Sequence, residues 1–282
     1  MIDKREILEA ARVAKLNPHI VEKDYVLGWI LAGIYQNKTL FDNWVFKGGT
    51  CLKKCYFDSY RMSEDLDFTL KDAAHLDKEF LETNFAQISK WIHKNSGIRI
   101  PEERLEFEFY KNPRGKLCCE GKIFYNGPIA PKSPRQIPRI KIDLMADEYL
   151  VEPSALNKVK HGFSDVLSGN SHIPCYSFVE LFAEKIRALS DRTRPRDLYD
   201  VIHLYRSKES QGIAPEVKRV MALKCDFKNI TIPTYKILSE QKDFCGAGWD
   251  DQLSYQVSVL PSFELYWDEL SQFFDWLNGE VK

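Results

Sequence analysis

Lys47-Gly48-Gly49-Thr50 and Arg61-Met62-Ser63-Glu64-Asp65-Leu66-Asp67-Phe68, separated by a short helix-like run, decide the reading of this chain. Trp44-Val45-Phe46 is an aromatic, apolar stretch that predicts a strand, and Gly48-Gly49 breaks it where the backbone has to turn sharply. Cys51 to Phe57 then predicts a short helix, so the amides of Gly48, Gly49 and Thr50 would sit at a helix N-terminus and could face an anion. Arg61 to Leu70 predicts a second strand. Side chains alternate along a strand, so Asp65 and Asp67 share one face while Leu66 and Phe68 share the other. Two carboxylates held that close repel each other unless a cation lies between them, and an all-oxygen ligand set shared with substrate phosphates favours Mg²⁺. A Gly-Gly pair alone is an ordinary turn, and an Asp-x-Asp alone is an ordinary solvated face. In this order they form the layout of a metal-dependent nucleotidyl-transfer site.

A third carboxylate extends the pattern. Arg139-Ile140-Lys141-Ile142-Asp143-Leu144-Met145 alternates polar and apolar residues, placing Lys141 and Asp143 on one face of a strand and Ile140, Ile142 and Leu144 on the other. If that strand lies beside the one carrying Asp65 and Asp67, three carboxylates converge, as two-metal phosphoryl chemistry requires. Taken alone, the same residues fit a surface Lys-Asp pair of little energetic consequence.

The combination KGGTCLKKCY, RMSEDLDF, IKIDL and the later AEKIRALSDRTRPRDLYD resembles the AbiEii/AbiGii-type toxin family, which includes the MenT toxins and belongs to the DNA polymerase β-like nucleotidyltransferase superfamily. The resemblance runs from Glu22-Lys23-Asp24-Tyr25 to about Asp200. It implies an α+β fold: a polymerase β-like nucleotidyltransferase core with N-terminal helices and a helical C-terminal subdomain, divided here at 1–155 and 156–282, with the active cleft between. It implies a toxin of an abortive-infection or toxin–antitoxin system that transfers nucleotides from an NTP to RNA, notably tRNA ends, and that has a cognate antitoxin. Residue by residue, it places Gly48, Gly49 and Thr50 at the phosphate-binding turn, with Lys54 on the helix that follows. Ser63, Asp65 and Asp67 match the family's serine and metal-binding carboxylates. Asp143 matches the acid of the next strand, where it would help activate an attacking hydroxyl, and Lys185 the later lysine. Asp197 and Asp200 both lie where an acidic residue closes the pattern. Mg²⁺ is the implied ion, with Mn²⁺ as a substitute. Gly-Gly-Thr stands where the wider superfamily has Gly-Ser, and the gap from Thr50 to Asp65 is long; both features narrow the match to the AbiEii-like subgroup.

The later block also has a physical reading. Ser177-x-x-Glu180 predicts a capping box and a helix starting at Phe178. Phe178, Leu181, Phe182, Ile186 and Leu189 form its apolar stripe, and Lys185 falls near the stripe's centre, where a lysine must snorkel out or meet an anion. A cleft-facing Lys185 that meets a triphosphate is the expectation, with Arg187 solvated on the opposite face. Pro195 suits the first position of a further helix, on which Asp197 and Asp200 share a face. An acid at Asp197 is stabilised by the helix dipole whatever its function.

Composition sets the outer bounds. A chain of 282 residues with 44% hydrophobic content can bury a sizeable core, and its net charge of −1 excludes a polyanion-binding tail. Nucleic-acid contacts must then be local, at Lys111, Arg114 and Lys116 in a hairpin or at Lys132, Arg135 and Arg139 before the Asp143 strand. The seven cysteines are scattered without a Cys-x-x-Cys, so no zinc site is expected and the thiols are read as reduced and cytoplasmic. No signal-peptide pattern and no membrane-spanning apolar run is seen. Ile20 to Leu31 predicts a core helix, with Glu22, Lys23 and Asp24 ion-paired. Phe263, Leu265, Tyr266, Leu270, Phe273, Phe274 and Trp276 predict one aromatic amphipathic helix packed on the core. Two other classes of function fit the same residues: an inactive nucleotide- or partner-binding module, and a phosphotransferase acting on a protein, including itself at Ser63.

Overall fold

Strand alternation builds the centre of the molecule. A computed structural model describes residues 1–129, 137–169 and 172–280. In β1 (Trp44–Lys47) all four residues are buried, and in β2 (Asp65–Leu70) and β5 (Arg139–Met145) the apolar face of Leu66, Phe68, Ile140, Ile142 and Leu144 is fully buried. The residues between them, Asp65, Asp67, Lys141 and Asp143, remain half-buried on the other face. Arg61 to Glu64 lies outside the strand, which begins only at Asp65.

These strands belong to one mixed sheet of order β3-β4-β5-β2-β1-β7-β6, with β3 at Leu105–Lys111, β4 at Leu117–Phe124, β6 at Ala155–Lys158 and β7 at His172–Cys175. β2 runs antiparallel to β1 and parallel to β5, and β1 runs parallel to β7. Phe68 packs against Trp44 and Phe46 at ring separations of 5.3 and 5.5 Å. The helices that cover this core are α1 (Lys4–Ala14), α2 (Pro18–Gln36), α3 (Lys38–Asn43) and α5 (Lys78–Ser96). In α2 nearly every residue from Tyr25 to Tyr35 is buried, because the helix is apolar all round rather than striped. Asn17 caps it by accepting from the His19 amide, and Pro18 takes the first helical position.

The chain forms two compact units, one of Met1–Glu148 with Ser154–Cys175, the other of Tyr149–Pro153 with the residues from Tyr176 onward. The division expected at 155/156 cuts β6 after its first residue, and β6 and β7 both belong to the sheet of the first unit. The second unit is helical: α6 (Phe178–Arg192), α7 (Pro195–Tyr205), α8 (Ala214–Lys228), then α9 (Tyr235–Ser239), α10 (Lys242–Ala247), α11 (Trp249–Leu253), α12 (Phe263–Asp268) and α13 (Leu270–Asn278). Ser177 caps α6 by accepting from the Glu180 amide at 3.1 Å. The Glu180 side chain does not complete the reciprocal box. It accepts instead from the amides of Val151 and Glu152 and meets Lys224 of α8 at 2.6 Å, pinning the 149–153 segment to the helices. The C-terminal aromatic run is two helices parted at Glu269, and its Leu265 is exposed, while Phe273 and Trp276 pack on Phe182.

Candidate active site

The β2–β5 register brings the three carboxylates together. Asp67 stands directly beside Asp143, and Asp65 beside Lys141. On the far side of β5, Glu120 of β4 pairs with Asp143. Four acids share this stretch of the sheet face with Lys141, with Lys122 beside it on β4 and with Lys47 beside Asp67 on β1. Lys141 bridges two of them, its Nζ lying 3.0 Å from Asp143 Oδ2 and 3.1 Å from Glu120 Oε2. Burial opposes its charge, yet hydrogen bonds to these two carboxylates hold it protonated above the usual lysine range. Asp65 is pushed up by burial and then by the charge of Asp67, and Asp143 is pushed up by burial despite Lys141. Negative charge gathered here costs free energy that a bound cation would relieve.

The glycine turn is fitted to these acids. Gly48 adopts φ +81°, and a Cβ there would lie 2.1 Å from Asp67 Oδ2, so only glycine fits. A Cβ on Gly49 would lie 2.8 Å from Arg61 Nη2 and 3.1 Å from Ser63 Oγ, which places Ser63 and Arg61 against the turn. Helix α4 (Gly48–Cys51) continues as a π turn (Leu52–Tyr56), a geometry that recurs at functional sites. The buried Thr50 hydroxyl donates to the Asp65 carbonyl at 2.5 Å, which locks the turn to β2 and leaves the amides of the turn as the groups for an anion.

Lys54 lies on the helical turn that follows, as expected. Its ammonium is buried and donates to both the carboxylate and the carbonyl of Asp24, at 2.8 and 2.9 Å, so it clamps the π turn to α2. Lys23 pairs with Glu64, the neighbour of Asp65. Both pairings agree with the ion-paired reading of the Glu22–Asp24 segment. Glu22, fully buried with its Oε1 accepting from the Ile129 amide, is pushed up to about 7 by burial. With Lys23, Glu64, Tyr125 and Arg139 it lines a hollow of about 510 Å³.

The remaining site residues gather in the second unit. Lys185 is buried and neither snorkels nor stands open: its Nζ lies 2.7 Å from Asp200 Oδ2 and 3.8 Å from Asp197 Oδ1. Arg192 grips Asp197 through Nε and Nη2 at 2.6 and 2.8 Å. Asp197 and Asp200 thus act as one cluster with two cations. Arg187, expected in solvent, is largely covered, with its Nε buried.

Sequence reasoning missed Lys141 and Glu120 as parts of the site, because their partners follow from the strand order β4-β5-β2. It also missed the buried Lys47, which stands opposite Asp67 in the β1–β2 register and lies 3.5 Å from Glu148. At the hairpin expected to touch RNA, Lys111 and Lys116 are exposed and Arg114 lies 3.5 Å from Asp147. Arg139 is exposed too, whereas Lys132 and Arg135 lie outside the described residues. Among the described residues no helix is long and apolar enough to cross a membrane.

No curated protein matches this chain. Among solved structures it is similar to MenT4, a nucleotidyltransferase toxin from Mycobacterium tuberculosis H37Rv, with a TM-score of 0.66 and 18% identity, covering 100% of this chain and 91% of that one. The match fixes the fold as that of MenT4. The profile described as nucleotidyl transferase AbiEii toxin, type IV toxin–antitoxin system, matches residues 29–271. The chain belongs to the AbiEii family of nucleotidyltransferase toxins, and with that family comes a nucleotide substrate and an antitoxin partner.

Proposed function

We propose that this nucleotidyltransferase moves NMP from an NTP to an RNA acceptor, the 3′ end of tRNA, and that Asp65, Asp67 and Asp143 form its metal-binding centre. The observation that carries the reading is the alignment of Asp67 with Asp143 across β2 and β5, with Gly48 packed on the Asp67 carboxylate. Three half-buried carboxylates, two of them with raised pKa, fit a hard divalent cation. Mg²⁺, or Mn²⁺ in its place, would there supply neutralisation of the triphosphate's charge.

The chain's own residues do the rest. Amides of Gly48 and Gly49 receive phosphate oxygens, with Ser63 beside them. Thr50 holds the turn in register with Asp65 through its hydroxyl. Asp143 would help activate the attacking ribose hydroxyl, and Lys141, 3.0 Å from its Oδ2, keeps that carboxylate aimed. Lys54 and Asp24 fix the helix behind the turn. Lys185 with Asp197 and Asp200 forms a second, internally paired cluster that holds α6 to α7. Action in the cytoplasm follows from the substrates.

The test is incubation of the protein with total RNA and each NTP labelled at the α- or γ-phosphate, in Mg²⁺. α-Label entering tRNA-sized RNA, lost in Asp65→Asn and Asp67→Asn, is the expected result, together with slowed growth when the toxin is expressed without its antitoxin. γ-Label on protein would replace RNA by a protein acceptor, and label in neither would remove the transfer reading.

A further inference from the structure

A cluster of three thiols lies behind the phosphate turn. Cys51 and Cys55 are four residues apart, so α4 and the π turn present both on one side, and Cys175 ends β7, where its partner in β1 is Phe46. The three Sγ atoms lie within 4.8 Å of one another. Cys51 and Cys175 are fully buried and Cys55 is 8% exposed. The Tyr56 hydroxyl sits 4.0 Å from Cys175 Sγ. Tyr35 binds the carbonyls of Trp44 and Pro174, both at 3.1 Å, which fixes β7 against β1 and so fixes the third sulfur.

Three sulfurs carried by two rigid elements are preorganised for one ion. Sulfurs bound to a common ion at about 2.3 Å sit roughly 4 Å apart, within the span found here. Thiolates select soft d¹⁰ cations over the hard ions that suit the carboxylate face.

We propose that Cys51, Cys55 and Cys175 bind one soft d¹⁰ cation, Zn²⁺ or Cu⁺, in an all-thiolate site that ties β7 to the helix carrying the Gly48-Gly49 turn. Each cysteine binds as thiolate, and any proton still on Cys51, Cys55 or Cys175 is released to solvent as its metal–sulfur bond forms. No oxidation is involved. The site is separate from the carboxylate face and stands whether or not that face transfers nucleotides. It also departs from the expectation of no zinc site, which rested on the lack of a Cys-x-x-Cys.

The test loads the reduced full-length chain with Zn²⁺ in one arm and, anaerobically, with Cu⁺ in the other, removes loose metal with a competing chelator, and measures the retained ion by elemental analysis. Cd²⁺ substitution provides a thiolate charge-transfer band as a second readout. One ion per chain with that band, lost in Cys175→Ser and Cys51→Ser and kept in Cys118→Ser, supports the site, and the arm that retains metal identifies the ion. Should Cys175→Ser fail to fold, Cys55→Ser at the partly exposed edge is the variant to read. Retention of neither metal by the wild-type chain, or equal retention in Cys55→Ser, would overturn the proposal.

Discussion

The two acidic clusters of this protein use the same residue types to opposite ends. In the second unit Asp197 and Asp200 are fully buried and meet Lys185 and Arg192 at 2.6 to 2.8 Å, so the charges close among themselves. On the sheet face Lys141 meets Asp143 and Glu120, Lys122 stands 3.8 Å from Glu120, and burial raises the pKa of Asp65 and Asp143. In the first cluster each acid meets a cation of its own unit. The second stays half-open to solvent with ionisation of Asp65 and Asp143 disfavoured, an arrangement that stability alone would not favour.

Substitutions can break this contrast. The largest effect is expected from Asp67→Asn, which keeps size and removes charge. Loss of several kcal/mol of transition-state stabilisation lowers turnover roughly a thousandfold, with folding intact by circular dichroism. Lys185→Met should do the reverse and act on stability first. Two buried carboxylates lose their shared cation, which costs about 3–5 kcal/mol, seen as a lower denaturant midpoint. A variant as stable as wild type would make Lys185 a dispensable cation rather than a strut.

Gly48→Ala comes next. A side chain at φ +81° is strained and would strike the Asp67 carboxylate, so that group must move. Turnover is expected to fall about a hundredfold, since small displacements at a reacting centre are costly. Wild-type rates in this variant would show that the turn does not position Asp67.

The smallest effect is on pH dependence without metal. Asp65 and Asp143 have folded pKa values raised above their unfolded ones, so their ionisation works against folding. That penalty is absent below the unfolded pKa and complete once pH exceeds the folded one. Metal-free Asp65→Asn should therefore melt above wild type at neutral pH, and the gap should close as pH falls. A gap that widens on acidification would contradict the sign. Added Mg²⁺ should close it at neutral pH by stabilising only the wild type.

Much of this was legible in the chain. An apolar, aromatic run ended by Gly48-Gly49 placed β1, and alternation placed β5 and the carboxylate-bearing part of β2 and separated Leu66, Phe68, Ile142 and Leu144 from the acids on the opposite face. Ser177 and Pro195 marked the starts of α6 and α7 by capping chemistry that needs no tertiary context. What escaped was pairing. Which groups satisfy Thr50, Lys54, Glu180 and Lys185 depends on neighbours supplied by other elements, and each is taken by a backbone group or a buried opposite charge. Lys141 and Glu120 joined the site only through strand order. The thiol cluster hid for the same reason: Cys51 and Cys55 are visibly on one helical side, but their partner Cys175 lies far along the chain.

Calorimetric titration of Mg²⁺ in the presence of a non-hydrolysable NTP analogue, on wild type, Asp67→Asn and Asp200→Asn, tests the contrast between the clusters most directly. The account predicts saturable binding to wild type, its loss in Asp67→Asn, and its retention in whatever fraction of Asp200→Asn is folded. Wild-type Mg²⁺ binding and turnover in Asp67→Asn would contradict it.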